Sequence, residues 1–381
     1  MSPQALEFIA DHAHGLSTRD ASLLRRAVET LERNIVGPEG KLWAPHRGII
    51  PAFGTYEGVW NWDAAFHALA VARWDPTLAW EQLYIFIDNQ KEDGGFIDVL
   101  FSNREKVTDF GKPPVWPWAV RLMKERAPRD GSLQRAYDGF KKLHRHWRTS
   151  RFRDGLFHYD TAGRDGNWLQ EVKYESGWDN SVRFDNGIVE LWPVDLNGYM
   201  VLFYQAMAWM AACLGEDSDS WSSAGNRLET EIEAALWSPE IQSYCDYDSR
   251  RRSFTNVLSP ASFLPLFCGT ANGQRAARMA ELAADPGVFF PGMPTVSYDN
   301  PEYSRDMWRG PCWLNTAYFA LMGLKRYGHH EVANQMRETI LDWCAAEEEL
   351  REYYDAKTGE GLAAVGFGWT AAFVIELLLD W

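Results

Sequence analysis

Along most of the chain, apolar residues recur at intervals of three and four, the spacing that places them on one face of an α-helix. Segments with this spacing, bounded by cap or breaker residues, predict helices over 18–36, 62–74, 75–90, 113–127, 130–149, 194–214, 217–236, 259–267, 270–284, 310–327, 329–347 and 366–380. Several starts have a chemical cause. Ser17 or Thr18 can accept an orphan N–H of the first helix. Asp75-Pro76 and Pro113-Pro114 open two others, since proline at the first helical position lacks a donor that the helix cannot use anyway. A short strand is expected around Phe157-His158-Tyr159, and no alternating strand–helix–strand order is visible.

The lengths of the connections carry more. Those near 74–75, 128–130, 215–216, 268–269 and 328 are very short, whereas those over about 37–61, 91–112, 150–193, 237–258, 285–309 and 348–365 are long. A short connection folds two helices back on one another. The alternation therefore predicts an all-α fold with six inner and six outer helices and every long loop at one end. An irregular helical bundle is the alternative. Long structureless loops are uncommon unless they are functional, so one face is expected to carry the chemistry. No linker and no sequence repeat divides residues 1–381, which read as a single domain.

Charge narrows the partners. The formal net charge is −15, and Arg250-Arg251-Arg252 is a short, isolated basic run. An acidic surface repels phosphate backbones and anionic bilayers, so neither a nucleic acid nor a membrane is expected as partner. No apolar run reaches the length of a bilayer span, and Met1-Ser2-Pro3-Gln4 does not open like a secretory leader, so a cytoplasmic location is expected. The 5 cysteines are odd in number, widely spaced and without a CxxC pair, which disfavours both disulfides and zinc. The chain also holds 19 Trp, many of them in or beside the long loops.

The candidate chemistry lies in those loops. The first ends Trp60-Asn61-Trp62-Asp63, where Asp63 or Asn61 is either a helix cap or, with the two indoles, part of a sugar platform. Aromatic faces stack on the C–H faces of a pyranose while a carboxylate accepts from its hydroxyls. The second holds Gln90 and Lys112-Pro113-Pro114; by composition alone Lys112 reads as solvated. The third holds Glu175-Ser176-Gly177-Trp178-Asp179 and Arg183. A carboxylic acid beside a tryptophan and away from water has a raised pKa, which suits a general acid; the alternative is a loop tied by Asp179–Arg183 pairing. The fifth ends Trp308-Arg309-Gly310-Pro311-Cys312-Trp313, in which Arg309 either binds substrate or links loops. The last contains Glu352-Tyr353-Tyr354-Asp355, a weak signal taken alone. The sequence has no GxSxG, HExxH, P-loop or GxGxxG pattern, and its histidines read as structural. Paired acids among aromatics remain. That is the chemistry of a glycosidase, which needs neither metal nor cofactor.

In order along the chain, Trp60-Asn61-Trp62-Asp63-Ala64-Ala65-Phe66, Glu175-Ser176-Gly177-Trp178-Asp179-Asn180-Ser181, Trp308-Arg309-Gly310-Pro311-Cys312-Trp313, and Glu352-Tyr353-Tyr354-Asp355 with Gly366-Phe367-Gly368-Trp369-Thr370 resemble glycoside hydrolase family sixty-three. That family includes processing α-glucosidase I and bacterial mannosylglycerate and glucosylglycerate hydrolases; neutral trehalases are more distant. The resemblance implies an (α/α)6 barrel that hydrolyses an α-glycosidic bond with inversion. Asp179 matches the general acid and Glu352 the general base. Asp63, Trp60 and Trp62 match positions that hold the nonreducing sugar, and Tyr56 matches a tyrosine that helps bind glycerate. Gln90, Lys112, Trp178, Arg183, Trp308, Arg309, Trp313 and Trp369 are also expected around the substrate.

Two departures bear on the leaving-group side. Relatives usually carry glutamine at the position of Lys112 and tyrosine at that of Met307. Lys112 either meets an anionic aglycone or points outward. At this length the chain has no room for an extra β-domain, which favours a small α-glucoside or α-mannoside such as glucosylglycerate, mannosylglycerate or an α-linked disaccharide. The rivals are a trehalase-like hydrolase, a sugar isomerase or epimerase, and a non-catalytic glycan-binding protein. Isomerase chemistry needs a histidine in the long loops, where His46 and His158 are the candidates; a binding protein needs the tryptophans but not both acids. Nothing in the sequence speaks to oligomeric state.

Overall fold

A computed structural model describes residues 1–102, 111–126, 131–159, 168–185 and 191–381. Parts of the predicted loops at 91–112 and 150–193, and the helix ends expected at 127 and 130, lie outside the described residues. Among the described residues fourteen α-helices form: α1 Pro3–Ala13, α2 Thr18–Arg33, α3 Asn61–Val71, α4 Pro76–Asp88, α5 Trp116–Arg126, α6 Ser132–Ser150, α7 Trp168–Ser176, α8 Val194–Leu214, α9 Asp219–Ala235, α10 Leu264–Cys268, α11 Gly273–Ala284, α12 Leu314–Arg326, α13 His330–Ala346 and α14 Gly368–Leu379.

Six of them close a ring. α3 packs on α5, α5 on α8, α8 on α10, α10 on α12, α12 on α14, and α14 back on α3. Their sequences suit enclosure. All eleven residues of α3 are buried, and it has no polar stripe to turn outward. Outer helices differ: α2 buries Leu23, Leu24, Ala27, Val28 and Leu31 along one face and keeps its charges on the other. α4, α6, α9 and α13 lie against the inner helices that precede them, and α2 covers α14. The architecture is the (α/α)6 barrel. Its sixth pair joins α2 and α14 from opposite ends of the chain, so no short connection signals it. No described helix is long and apolar enough to cross a membrane.

Every long connection enters an inner helix at its N-terminus, so the loops share one face. Short antiparallel pairs stiffen them. Gly58–Trp60 pairs with Val99–Phe101, with Trp60 opposite Val99. Arg351–Tyr354 pairs with Gly361–Val365 as a hairpin. Leu156–Phe157 pairs with Phe152–Arg153 where a short strand is expected.

The differences from the predicted helices have local causes. Ser17 and Asp75 do cap α2 and α4, accepting from Asp20 N (3.1 Å) and Leu78 N (2.9 Å). α12 begins at Leu314 rather than at 310, because Cys312 and Tyr354 exchange backbone hydrogen bonds of 2.7 and 3.0 Å and hold that stretch extended. α1 is absent from the predicted helices. It is short and buries only Ala5, Phe8 and Ile9, too few positions to establish a period. α7 likewise falls inside a segment that reads as loop.

Candidate active site

A cleft of about 490 Å3 opens among the long loops. It is lined by Pro51, Tyr56, Trp60, Trp62, Asp63, Lys112, Gly177, Asp179, Met307, Trp308, Trp313, Glu352, Phe367 and Trp369. Asp63 comes from the first turn of α3, Lys112 from the segment before α5, and Asp179 from the turn after α7. Glu352 comes from the hairpin before α14. Ten of the fourteen sequence-predicted residues thus meet in one place, although they span the chain from Tyr56 to Trp369.

The wall is a column of rings. Trp178 lies 5.0 Å from Trp308, Trp308 stacks on Trp313 at 4.0 Å and 7°, and Trp313 stacks on Tyr353 at 4.5 Å. Trp62 and Trp369 meet edge to face at 5.4 Å and close the side. Offset and edge contacts of this kind hold flat apolar faces at set angles. Trp313 is further pinned by its Nε1–H, which donates to the Met307 carbonyl at 2.9 Å. Gly177 has φ +76°, and a Cβ there would stand 2.5 Å from the Trp62 ring, so both backbone and packing require glycine.

The carboxylates sit in contrasting settings. Glu352 Oε1 accepts from the Tyr56 hydroxyl at 2.9 Å, and its Oε2 from Ala364 N at 3.2 Å. Burial raises the proton affinity of Glu352, these two donors lower it, and the charge of Asp179 raises it again. Asp179 Oδ1 is buried with no hydrogen-bond partner. Burial raises Asp179 and the Lys112 charge opposes it. Asp63 is 4% exposed; burial lifts it to about 8 against the pull of Lys112. It does not cap α3, which starts after Trp60 without a side-chain cap, and Asn61 instead donates to Ile97 O and accepts from Trp116 Nε1.

Lys112 is buried, not solvated. Its Nζ donates to the Tyr174 carbonyl at 2.6 Å and stands 3.5 Å from Asp98 Oδ1. Burial pulls Lys112 down, but Asp98, Asp179 and Asp63 together raise it, so it keeps its charge. Asp98, raised by burial to about 6, is a site residue that sequence reasoning misses. A polar residue after Phe96-Ile97 is a weak signal, and nothing local shows that it meets Lys112.

Four predicted residues do not line the cleft. Trp178 is fully buried behind Trp308 and supports the wall. Arg183 is 1% exposed and grips two carboxylates, Asp195 at 2.7 and 2.9 Å and Asp246 at 2.8 and 2.9 Å, rather than Asp179 or a ligand. Its guanidinium lies 4.8 Å over Trp178, so it props the Asp179 turn from behind. Arg309 links loops, donating to the Asn180 carbonyl (3.2 Å), Asp185 (2.7 Å) and Glu302 (3.2 Å). Gln90 donates its amide to the carbonyls of Gly94 and Gly139. Glu175, four residues before Asp179, is held by Arg151 at 3.1 Å. Of the histidines a sugar isomerase would need, His46 pairs with Asp88 and His158 bonds the Tyr159 carbonyl; neither lines the cleft. Pro51, Gly177, Met307 and Phe367 join the lining through backbone placement, without a chemical signature of their own.

Comparison with known proteins identifies the family. The model of the mannosylglycerate hydrolase MGH1-like glycoside hydrolase domain matches residues 56–370. The mannosylglycerate hydrolase of Thermus thermophilus is 27% identical, aligning over 92% of this chain and 99% of its own. That of Rubrobacter radiotolerans is 25% identical over 85% of this chain and 91% of its own. The crystal structure of a GH63 mannosylglycerate hydrolase from Thermus thermophilus in complex with glucose superposes with a TM-score of 0.79 at 27% identity, covering 94% of this chain and 100% of that one. The same enzyme in complex with Tris and D-glycerate also gives 0.79, at 26% identity, covering 93% of this chain and 99% of that one. The chain therefore belongs to the mannosylglycerate hydrolase MGH1-like family and is a glycoside hydrolase.

Proposed function

We propose that this enzyme hydrolyses a small α-glycoside with inversion, with Asp179 as general acid and Glu352 as general base. The observation that carries the reading is that both carboxyl groups line one aromatic cleft in opposite settings. Asp179, half-buried and with its buried Oδ1 lacking a donor, favours the protonated form and can give its proton to the glycosidic oxygen. Glu352, with donors on both oxygens, is the better holder of negative charge and can take a proton from a water on the far face of the sugar. Bond cleavage proceeds through an oxocarbenium-like transition state, with Asp63 and the indoles Trp60, Trp62, Trp308, Trp313 and Trp369 holding the ring.

The candidate substrates are glucosylglycerate, mannosylglycerate and α-linked disaccharides. Relatives named mannosylglycerate hydrolases support mannosylglycerate. The periplasmic trehalase of Escherichia coli, 23% identical over 99% of this chain and 74% of its own, keeps trehalose on the same panel. Proton NMR of the first-formed sugar tests the mechanism: an α-glycoside releases the β anomer if Glu352 directs the water, and an α product rejects inversion. Binding without turnover across the panel would reject these substrates.

A further inference from the structure

Among the described residues that line the cleft, Lys112 is the one cation, and it faces carboxylates on several sides. Two groups that do not line the cleft hold it. Nζ donates to the Tyr174 carbonyl at 2.6 Å and lies 3.5 Å from Asp98, and both Lys112 and Asp98 are 8% exposed. Tyr174 belongs to α7, and the chain runs from there through the Gly177 turn to Asp179. One ammonium therefore anchors the segment that carries Asp179 and places a positive charge in the cleft that Asp179 lines. Lys112 is the charged group that acts on Asp179; the carboxylate of Asp179 in turn raises Tyr56, Asp98 and Glu352, and that of Asp63 raises Lys112. Of these only Lys112 is positive, so only it favours the ionised carboxylate. A glutamine at this position would leave burial unopposed.

We propose that Lys112, clamped by Asp98 and the Tyr174 carbonyl, is a positioning residue that acts through Asp179: its charge sets the pH at which the acid surrenders its proton, and Asp98 sets how much of that charge Asp179 feels. The proposal rests on the reading of Asp179 as general acid. Activity requires protonated Asp179, so it falls as pH rises through the proton affinity of that group. Lys112→Gln removes the opposing charge and moves the alkaline limb of the kcat/KM profile up by about one pH unit or more. Asp98→Asn strips Lys112 of its counter-charge and moves the same limb down.

The test is the kcat/KM profile on the best α-glycoside for wild type, Lys112→Gln and Asp98→Asn, repeated on an aryl α-glycoside whose leaving group needs no proton. Opposite movements of the alkaline limb on the first substrate, and no such limb on the second, are expected. An unmoved limb, movement in the same direction, or a raised KM with an unmoved limb overturns the proposal and leaves Lys112 a scaffold or a sugar ligand. Should Lys112→Gln not fold, Asp98→Asn decides alone, since a limb that stays or rises overturns it. A wild-type alkaline limb that persists on the aryl substrate shows instead that Asp179 is not the acid, and both readings then fall together.

Discussion

Asp179 and Glu352 share a cleft but are held in different ways. Asp179 sits on a turn after α7 whose support comes from side chains: Arg183 behind Trp178, clamped by Asp195 and Asp246, and Asn180 tied to Asp306 and the Trp308 amide. Its own Oδ1 receives nothing. Glu352 sits on a two-stranded hairpin, and the backbone itself supplies one of its donors through Ala364 N–H. An acid has to pick up a proton and lose it, so it gains from a buried site with few donors. A base has to stay charged while buried, so it needs donors that do not move. On the proposed assignment, the contrast teaches that the division of labour is written in what each carboxylate accepts, not in burial, which raises both.

The strongest way to break the comparison is to remove each carboxylate in turn. Glu352→Gln is expected to lower kcat by roughly 100- to 10,000-fold on any substrate, including activated aryl glycosides, because the water still needs a base. Asp179→Asn should lose a similar factor on a disaccharide yet keep most of its rate when the leaving group needs no proton. The ratio of the two substrates checks this; equal losses for both variants would abolish the distinction.

Arg183→Met tests the side-chain scaffold. It leaves buried Asp195 and Asp246 without their cation, which costs about 3–5 kcal/mol of stability by chemical denaturation. Residual activity should resemble that of Asp179→Asn, with activated substrates spared, since the Glu352 hairpin does not depend on Arg183. Gly177→Ala probes the same turn through its backbone. A positive φ and a Cβ pressed on Trp62 predict a loss of about 1–3 kcal/mol, read as a lowered Tm.

The smallest effect sharpens the other side. Tyr56→Phe takes one donor from Glu352 and so raises its proton affinity. The base must be ionised, and activity is lost as pH falls through that affinity. The acid limb of kcat/KM should therefore move up by about one pH unit, the worth of a hydrogen bond to a charged group, with the alkaline limb unchanged.

Asp179 is legible in the sequence from its aromatic-rich loop motif, whereas Glu352, a weak signal taken alone, is reached through the family resemblance. The supports around them are not legible. Arg183, four residues after Asp179, reads naturally as its partner, but Asp195 and Asp246 arrive from a helix start and a loop far along the chain and compete successfully. Lys112 reads as a solvated residue ahead of two prolines; its burial depends on Asp98 and on the Tyr174 carbonyl, which only the folded loops bring near.

By itself, then, the sequence determined twelve of the fourteen described helices, the pairing of those joined by short connections, and the end of the barrel where the long loops gather. Helical period, caps and loop length are properties of neighbouring residues. Only the tertiary structure decided which polar groups meet: that Trp178, Arg183, Arg309 and Gln90 serve the framework, that Asp98 joins Lys112, and that Tyr56 and Ala364 serve Glu352. Those contacts join residues distant in the chain, and a buried charge or donor takes whichever partner the packing of six inner helices brings within reach.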